Sequence, residues 1–294
     1  MEFGRIEQDG LNTLNTLLPK YSEATVSFLH IQESNSKGTL RIGLSKWGRK
    51  DWAGVLYPKD TKDKYHLKEY GNHFNCIELN STFYQIYPTS IIEAWANDTP
   101  DDFLFCPKFN QGITHFRRLK NCESLLVPFL NQIRAFGKKL GPCFLQLPDN
   151  FGPNKYDDLQ SFLLSLPKEL QFFLEVRHAD WFIGEERERL YDFLAANNIG
   201  WVITDTSGRR DVVHMELTIP KTYIRFVGND HETDYSRVDS WIERISRWIE
   251  AGVDVFFMVH MVNEINTPIL AEYVAKQFNL KCGLNIPVPQ LLKS

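Results

Sequence analysis

Glu78, Glu175 and Asp205 are three acids set among apolar residues, each within a short hydrophobic run. In the run 76–84, Ile77 and Leu79 alternate with Glu78 and Asn80, and in 172–178, Leu174 and Val176 alternate with Glu175 and Arg177. Alternate residues of a strand point to opposite faces, so each run carries one apolar face and one chemically furnished face. Extending this parity to the other runs adds Ser45, Trp47, Lys108, Gln146, Asp205, Arg225 and His260 to the furnished face.

Carboxylates confined together repel one another and raise one pKa, while a neighbouring Arg or Lys lowers another, which separates an acid from a base at neutral pH. Glu78 and Glu175 are the expected acid/base pair, and Asp205 and Lys108 complete the expected catalytic set. Arg177 and Arg225, with Lys108, would hold a phosphate or carboxylate, arginine offering a two-pronged fork. Ser45, Trp47, Asn80, Tyr84, His115, Gln146 and His178 are assigned to substrate contact. A plainer reading stands beside this one. Glu175 with Arg225, or Glu78 with Lys108, would serve as structural ion pairs, His178 would cap a strand, and the aromatics Trp47, Trp52, Phe83, Tyr84 and Trp181 would pack.

Metal ligation would draw on Glu78, Glu175, Asp205 and His178, but the cations on the same face compete for those carboxylates and repel a dication. The expectation is therefore metal-free chemistry with no cofactor. Nucleotide-binding glycine loops and a G-x-S-x-G elbow are absent from the sequence. Two opposed carboxyls could also hydrolyse a glycoside, but the cationic neighbours suit an anionic ligand better than a neutral sugar.

Eight elements must position these groups. The runs 41–47, 76–84, 103–109, 143–148, 172–178, 201–206, 223–228 and 254–260 alternate with helix-length segments. Short connections between strands and helices make the sheet parallel, and eight units favour closure into a single (β/α)8 TIM-type barrel, whose chemistry sits at the C-terminal ends of the strands. Ser90 and Glu93 have capping-box spacing for the helix after the second strand. Pro268 suits a first helical turn, and Gly141 and Gly252 suit helix ends before strands 4 and 8. The segment 207–222, with Arg209, Arg210 and Pro220, predicts an irregular sixth crossover.

The 294 residues, 43% of them hydrophobic, suffice for one barrel core, with residues 39–294 expected to form it. Residues 1–38 read as an N-terminal extension and linker. Leu11, Leu14, Leu17 and Leu18 give it an amphipathic turn, and docking, dimerisation and mobility are all open for it. Five cysteines form no C-x-x-C pair, which argues against a disulfide framework. With no leader-like start and no membrane-length apolar run, the expectation is a cytoplasmic protein without membrane contact. Oligomeric state is not readable.

Gly43-Leu44-Ser45-Lys46-Trp47, Trp52, Tyr57-Pro58, Ile77 through Tyr84, Trp95, Phe105 through Lys108, Ile113-Thr114-His115, Gly141 through Pro148, and Glu175-Val176-Arg177-His178 with Trp181 together resemble the DUF72, or YecE-like, family. The resemblance runs from residue 41 to about residue 260 and implies a TIM-type barrel; it implies no reaction, because the family's function is unassigned. The chain departs from the family's pattern at His260-Met261-Val262-Asn263-Glu264, where an Asn-Asn pair and a Gly/Ala-rich stretch are usual.

The expected function is hydrolase, isomerase or lyase chemistry on an anionic or phosphorylated small molecule or nucleotide at the barrel mouth. The alternative is a nucleic-acid-associated binding protein using Arg117, Arg118, Lys120, Arg209 and Arg210 on the rim. The net charge of −4 favours the first.

Overall fold

In the computed structural model, residues 4–31 and 36–292 are described. Eight parallel strands form a nearly closed barrel: β1 (Leu40–Leu44), β2 (Cys76–Leu79), β3 (Leu104–Pro107), β4 (Cys143–Gln146), β5 (Phe172–Glu175), β6 (Gly200–Asp205), β7 (Lys221–Gly228) and β8 (Asp254–Met261). The ladder runs β3-β2-β1-β8-β7-β6-β5-β4. Between β3 and β4 the backbone pairing is reduced to two isolated bridges, Phe105 with Leu140 and Lys108 with Phe144. The expected eight-stranded α/β barrel is thus observed, with a sparse seam at one place.

The helices are α1 (Gln8–Leu11) and α2 (Glu23–Ile31) before the barrel, then α3 (His66–Gly71), α4 (Ser81–Tyr84), α5 (Thr89–Asn97), α6 (Glu123–Arg134), α7 (Tyr156–Leu164), α8 (Gly184–Ala196), α9 (Thr233–Glu250) and α10 (Thr267–Cys282). Outward strand residues such as Ile77, Leu79, Leu174 and Ile203 pack under these helices with Trp241, Trp248 and Phe162. Between β6 and β7 the described chain forms only one short turn, Arg210–Val212, as the irregular sixth crossover requires.

Local signals held unevenly. Pro268 lies in the first turn of α10, and Gly252, at φ 84°, follows α9. Ser90, however, is no cap: α5 starts one residue earlier, behind Pro88, without a side-chain capping bond. Gly141 also serves a different end. Its N–H donates to Phe105 O at 2.7 Å, and a Cβ there would stand 3.0 Å from that oxygen, so the glycine permits close approach at the β3–β4 seam.

The N-terminal extension docks on the barrel. Ser22 Oγ and Thr25 Oγ1 donate to Glu216 at 2.6 and 3.1 Å, Leu11 is buried, and Gly208 N–H donates to Gly4 O at 2.7 Å. The expected amphipathic face is only partly used, since Leu17 is exposed. The linker expected around 34–38 falls partly on 32–35, outside the described residues.

Inside the barrel an apolar plug forms from Cys76, Cys106, Phe144, Phe173, Val202, Tyr223, Phe256 and Met258. Two residues further along those strands, in the same inward parity, come Glu78, Lys108, Gln146, Glu175, Thr204, Arg225 and His260, all buried. The period-two rule therefore stacks a polar layer on an apolar floor at the C-terminal side of the barrel.

Candidate active site

Arg225 is the hub of the polar layer. Its Nε and Nη2 donate to Glu78 Oε2 and Oε1 at 2.8 and 2.9 Å, and its Nη1 donates to Glu175 Oε2 at 2.8 Å. Glu78 receives further bonds from Asn80 Nδ2 at 2.8 Å and the Tyr223 hydroxyl at 3.4 Å, with His260 Nε2 at 3.3 Å. Glu175 is held from its other side by Arg177 Nε at 2.8 Å. The Arg177 guanidinium also lies 4.0 Å from Asp149, and its carbonyl accepts from Arg209 at 2.9 Å.

These contacts overturn the expected division of the two glutamates into acid and base. Burial alone would raise the pKa of Glu78, but Arg225 and His260 outweigh it and hold Glu78 well below the usual carboxylate range. At Glu175 burial is likewise outweighed, by Arg177 and Arg225, leaving its pKa at about 2. Both are ionised at neutral pH, and both spend their oxygens on arginine. Arg225 is shifted upward because its two carboxylates outweigh its own burial.

Lys108 has the opposite environment. Its Nζ donates to the neutral amide of Gln146 at 2.6 Å and lies 4.1 Å from the centroid of the Phe83 ring. Among the described residues, no carboxylate stands within 4.0 Å of it. The expected Glu78–Lys108 ion pair is absent because Arg225 takes both oxygens of Glu78. Burial first, then the like charge of Arg225, lowers the Lys108 pKa to about 7. His115, on the wide helical turn Gly112–Phe116, packs its ring edge-on to the same Phe83 at 5.0 Å and bonds Thr114 Oγ1 through Nδ1 at 2.8 Å. Burial, then Lys108 and Arg177, bring its pKa down to about 4, so it is a neutral imidazole. His260 is lowered by burial as well.

Several expected members stand elsewhere. Asp205 does not face the barrel interior. It shares the outward face of β6 with Trp201 and Ile203, where Arg237 Nη2 donates to it at 2.8 Å, Trp241 Nε1 at 2.6 Å, and Arg210 pairs with it. Strand parity extended to this run predicts the opposite face; Arg237 among Val238, Trp241 and Ile242 on the buried face of α9 is the signal in the sequence for a partner outside the barrel. His178 Nδ1 accepts from Asp180 N–H at 3.3 Å and its ring packs by Gly152, the plainer capping role. Trp47 packs edge-on to Trp95 at 5.2 Å, and Tyr84 is exposed beyond Phe83. Ser45 borders a small cleft with Arg49, Trp52 and Glu264.

The four groups suggested for metal ligation do not converge, since Asp205 faces α9. Among the described residues no three His, Cys, Asp or Glu side chains are arranged to hold a metal ion. Tyr223, which touches Glu78, was missed by sequence reading, although it precedes Arg225 by two residues on the same strand face.

The rim cations are engaged internally. Arg117 donates to the carbonyl of Asn121 and the hydroxyl of Ser124, Arg118 bonds Asn150, Lys120 pairs with Asp158, Arg209 with Asp211, and Arg210 with Asp205.

A profile described as "Protein of unknown function DUF72" matches residues 41–291. The chain belongs to the DUF72 family. It is 32% identical over 237 residues to UPF0759 protein YecE of Escherichia coli K12, covering 74% of this chain and 85% of that protein. UPF0759 protein YunF of Bacillus subtilis is 29% identical over 204 residues, 65% of this chain and 71% of that one. Among solved structures, a DUF72 protein of Thermotoga maritima matches with TM-score 0.67 at 22% identity, over 84% of this chain and 100% of its own. One from Enterococcus faecalis matches with TM-score 0.67 at 19% identity, over 84% and 99%. These structures share the barrel. No described helix of this DUF72 protein is long and apolar enough to cross a membrane.

Proposed function

We propose that this DUF72 protein is an enzyme that performs acid/base chemistry on an anionic small molecule at the C-terminal mouth of its barrel. The observation that carries this reading is Lys108, a buried amine that pairs with an amide rather than a carboxylate; burial brings its pKa down to about 7. A proton donor or acceptor works best when its pKa is near the working pH, and Lys108 meets that requirement where Glu78 and Glu175 do not. Two glutamates and two arginines balance within the cluster, so protonated Lys108 leaves one positive charge for an anion to neutralise. Arg177, two residues beyond the end of β5, would orient that anion. Glu78, Glu175 and Arg225 act as positioning residues. The internally paired rim leaves the nucleic-acid alternative without its main support. The buried free cysteines are compatible with a reducing, cytoplasmic setting.

The test is a thermal-shift screen with carboxylates and phosphates on the wild type and the Arg177→Ala variant, each compared with its own ligand-free baseline. A ligand at about a hundred times its Kd stabilises the native state by about 2.7 kcal/mol. The reading expects such a shift in the wild type and its loss in Arg177→Ala. An unresponsive wild type, or a shift unchanged in Arg177→Ala, would count against it.

A further inference from the structure

We propose that Lys108 Nζ forms an imine with the carbonyl carbon of an anionic aldehyde or ketone substrate. This inference rests on the anion-binding reading above and names the substrate class. An imine-forming lysine must present an unprotonated amine to a carbonyl in a site that disfavours the ammonium.

The geometry supplies those conditions through separate residues. Arg225 engages Glu78 through both oxygens and Glu175 through one, so neither glutamate pairs directly with Lys108, and their attraction for its ammonium form is outweighed by burial and by Arg225. Gln146 Oε1 accepts one N–H of the amine at 2.6 Å, which fixes the direction of the side chain without a counter-charge. The face of Phe83, its ring centroid 4.1 Å from the amine, covers one side of it and would stabilise the positive charge of the iminium once formed. Phe83 and His115 are only partly buried, so the amine lies behind two rim side chains and not beneath the apolar plug. Repulsion from Arg225 favours the neutral amine further.

In the step itself, the amine lone pair attacks the carbonyl carbon, a C–N bond forms, and the carbonyl π electrons move to oxygen. The nitrogen loses a proton as the oxygen gains one, giving a carbinolamine. Loss of the hydroxyl with a second nitrogen-derived proton releases one water and leaves the neutral imine; reprotonation at nitrogen gives the iminium. His115, a neutral imidazole packed edge-on to the same phenyl ring, would relay these protons. No oxidant or reductant is consumed.

The experiment incubates the full chain at pH 7 with glyoxylate, pyruvate or glyceraldehyde 3-phosphate in the presence of borohydride, followed by intact-mass measurement and peptide mapping. Trapping should add the mass of the carbonyl compound less one oxygen atom, on Lys108. An amine of pKa about 7 is roughly half neutral there, against well under one in a thousand for a lysine of pKa about 10.4, so labelling should favour Lys108 over exposed Lys50 by roughly a hundredfold or more. Labelling should rise between pH 6 and 8, and Lys108→Met should abolish it. Because the site is compared with Lys50 in the same wild-type molecule, the result stands even if the variant folds poorly. Label spread over exposed lysines, with Lys108 unmodified, overturns the proposal. Lactate and glycerol 3-phosphate, which keep the anion and lack the carbonyl, separate the two ideas. If they stabilise the protein while no carbonyl compound is trapped on Lys108, the imine fails and the anion site survives; if nothing binds and nothing is trapped, both fail.

Discussion

Replacing Arg225 with Met keeps much of the side chain's length and removes the charge that both buried glutamates share. Glu78 then loses two bonds, of 2.8 and 2.9 Å, and keeps Asn80, Tyr223 and His260, while Glu175 keeps Arg177. Breaking a buried ion pair from one side costs about 3–5 kcal/mol, because the remaining charge has no counter-charge and little water. Unfolding entropy of about 2 cal/mol/K per residue makes this a fall in Tm of roughly 5–8 °C for a chain of this length. In the wild type, Glu78 has a native pKa below its unfolded value, so its contribution is present above about pH 4.5 and is lost as pH falls through the native pKa. In Arg225→Met the sign reverses. Burial raises the native pKa above the unfolded one, so the variant is penalised at pH 8 and the penalty shrinks as pH falls toward 5 and Glu78 protonates. Urea unfolding of both proteins at pH 8 and pH 5 measures the gap, and Arg225→Met/Glu78→Gln should recover a large part of the loss at pH 8. A variant within about 1 kcal/mol of wild type at pH 8, or a gap that widens toward pH 5, would refute the assignment of Arg225 as the counter-charge.

Asp205→Asn should lower stability by about 3 kcal/mol, since it leaves Arg237 and Arg210 facing a neutral group, while the ligand-induced thermal shift stays intact; a normal Tm with a lost ligand shift would restore Asp205 to the site. Lys108 has a native pKa of about 7, below its unfolded value near 10.4, so the unfolded chain binds more protons across that interval and wild-type stability rises with pH there. Lys108→Met should therefore stabilise the protein most at pH 6, with the advantage shrinking by pH 9; urea midpoints that differ equally at both pH values would contradict a neutral buried amine.

The barrel was readable because β-strand parity is a local property. Ile77 and Leu79 against Glu78 and Asn80 define both faces of β2 without reference to any other strand, and β5 repeats the pattern. What failed depended on partners distant in the chain. Asp205 sits outward because Arg237 and Trp241 of α9 meet it there, and only their placement on one helical face hinted at this. The wrong proton assignment has a similar cause. Charge type identified Glu78, Glu175, Lys108 and Arg225 as a cluster, but which cation meets which anion is decided by barrel register and by the forked reach of arginine. Residues 81–84, read as the end of a strand, form α4 instead, and that turn brings Phe83 against Lys108.

The sparse seam between β3 and β4 has a mechanical consequence. Elsewhere the barrel wall is a continuous ladder, but here few main-chain bonds resist separation, among them Gly141 N–H to Phe105 O and Phe109 N–H to Phe144 O. Local opening costs least where the fewest bonds and contacts must be broken. The barrel should therefore behave less like a rigid ring than like a split collar, and Lys108, which bridges to Phe144 across the split, rides on one of its lips. A small spreading of the collar would lengthen the bond from Lys108 to Gln146 of β4, and it would be resisted by Arg225 of β7, which ties Glu78 of β2 to Glu175 of β5, the strands next to the two lips.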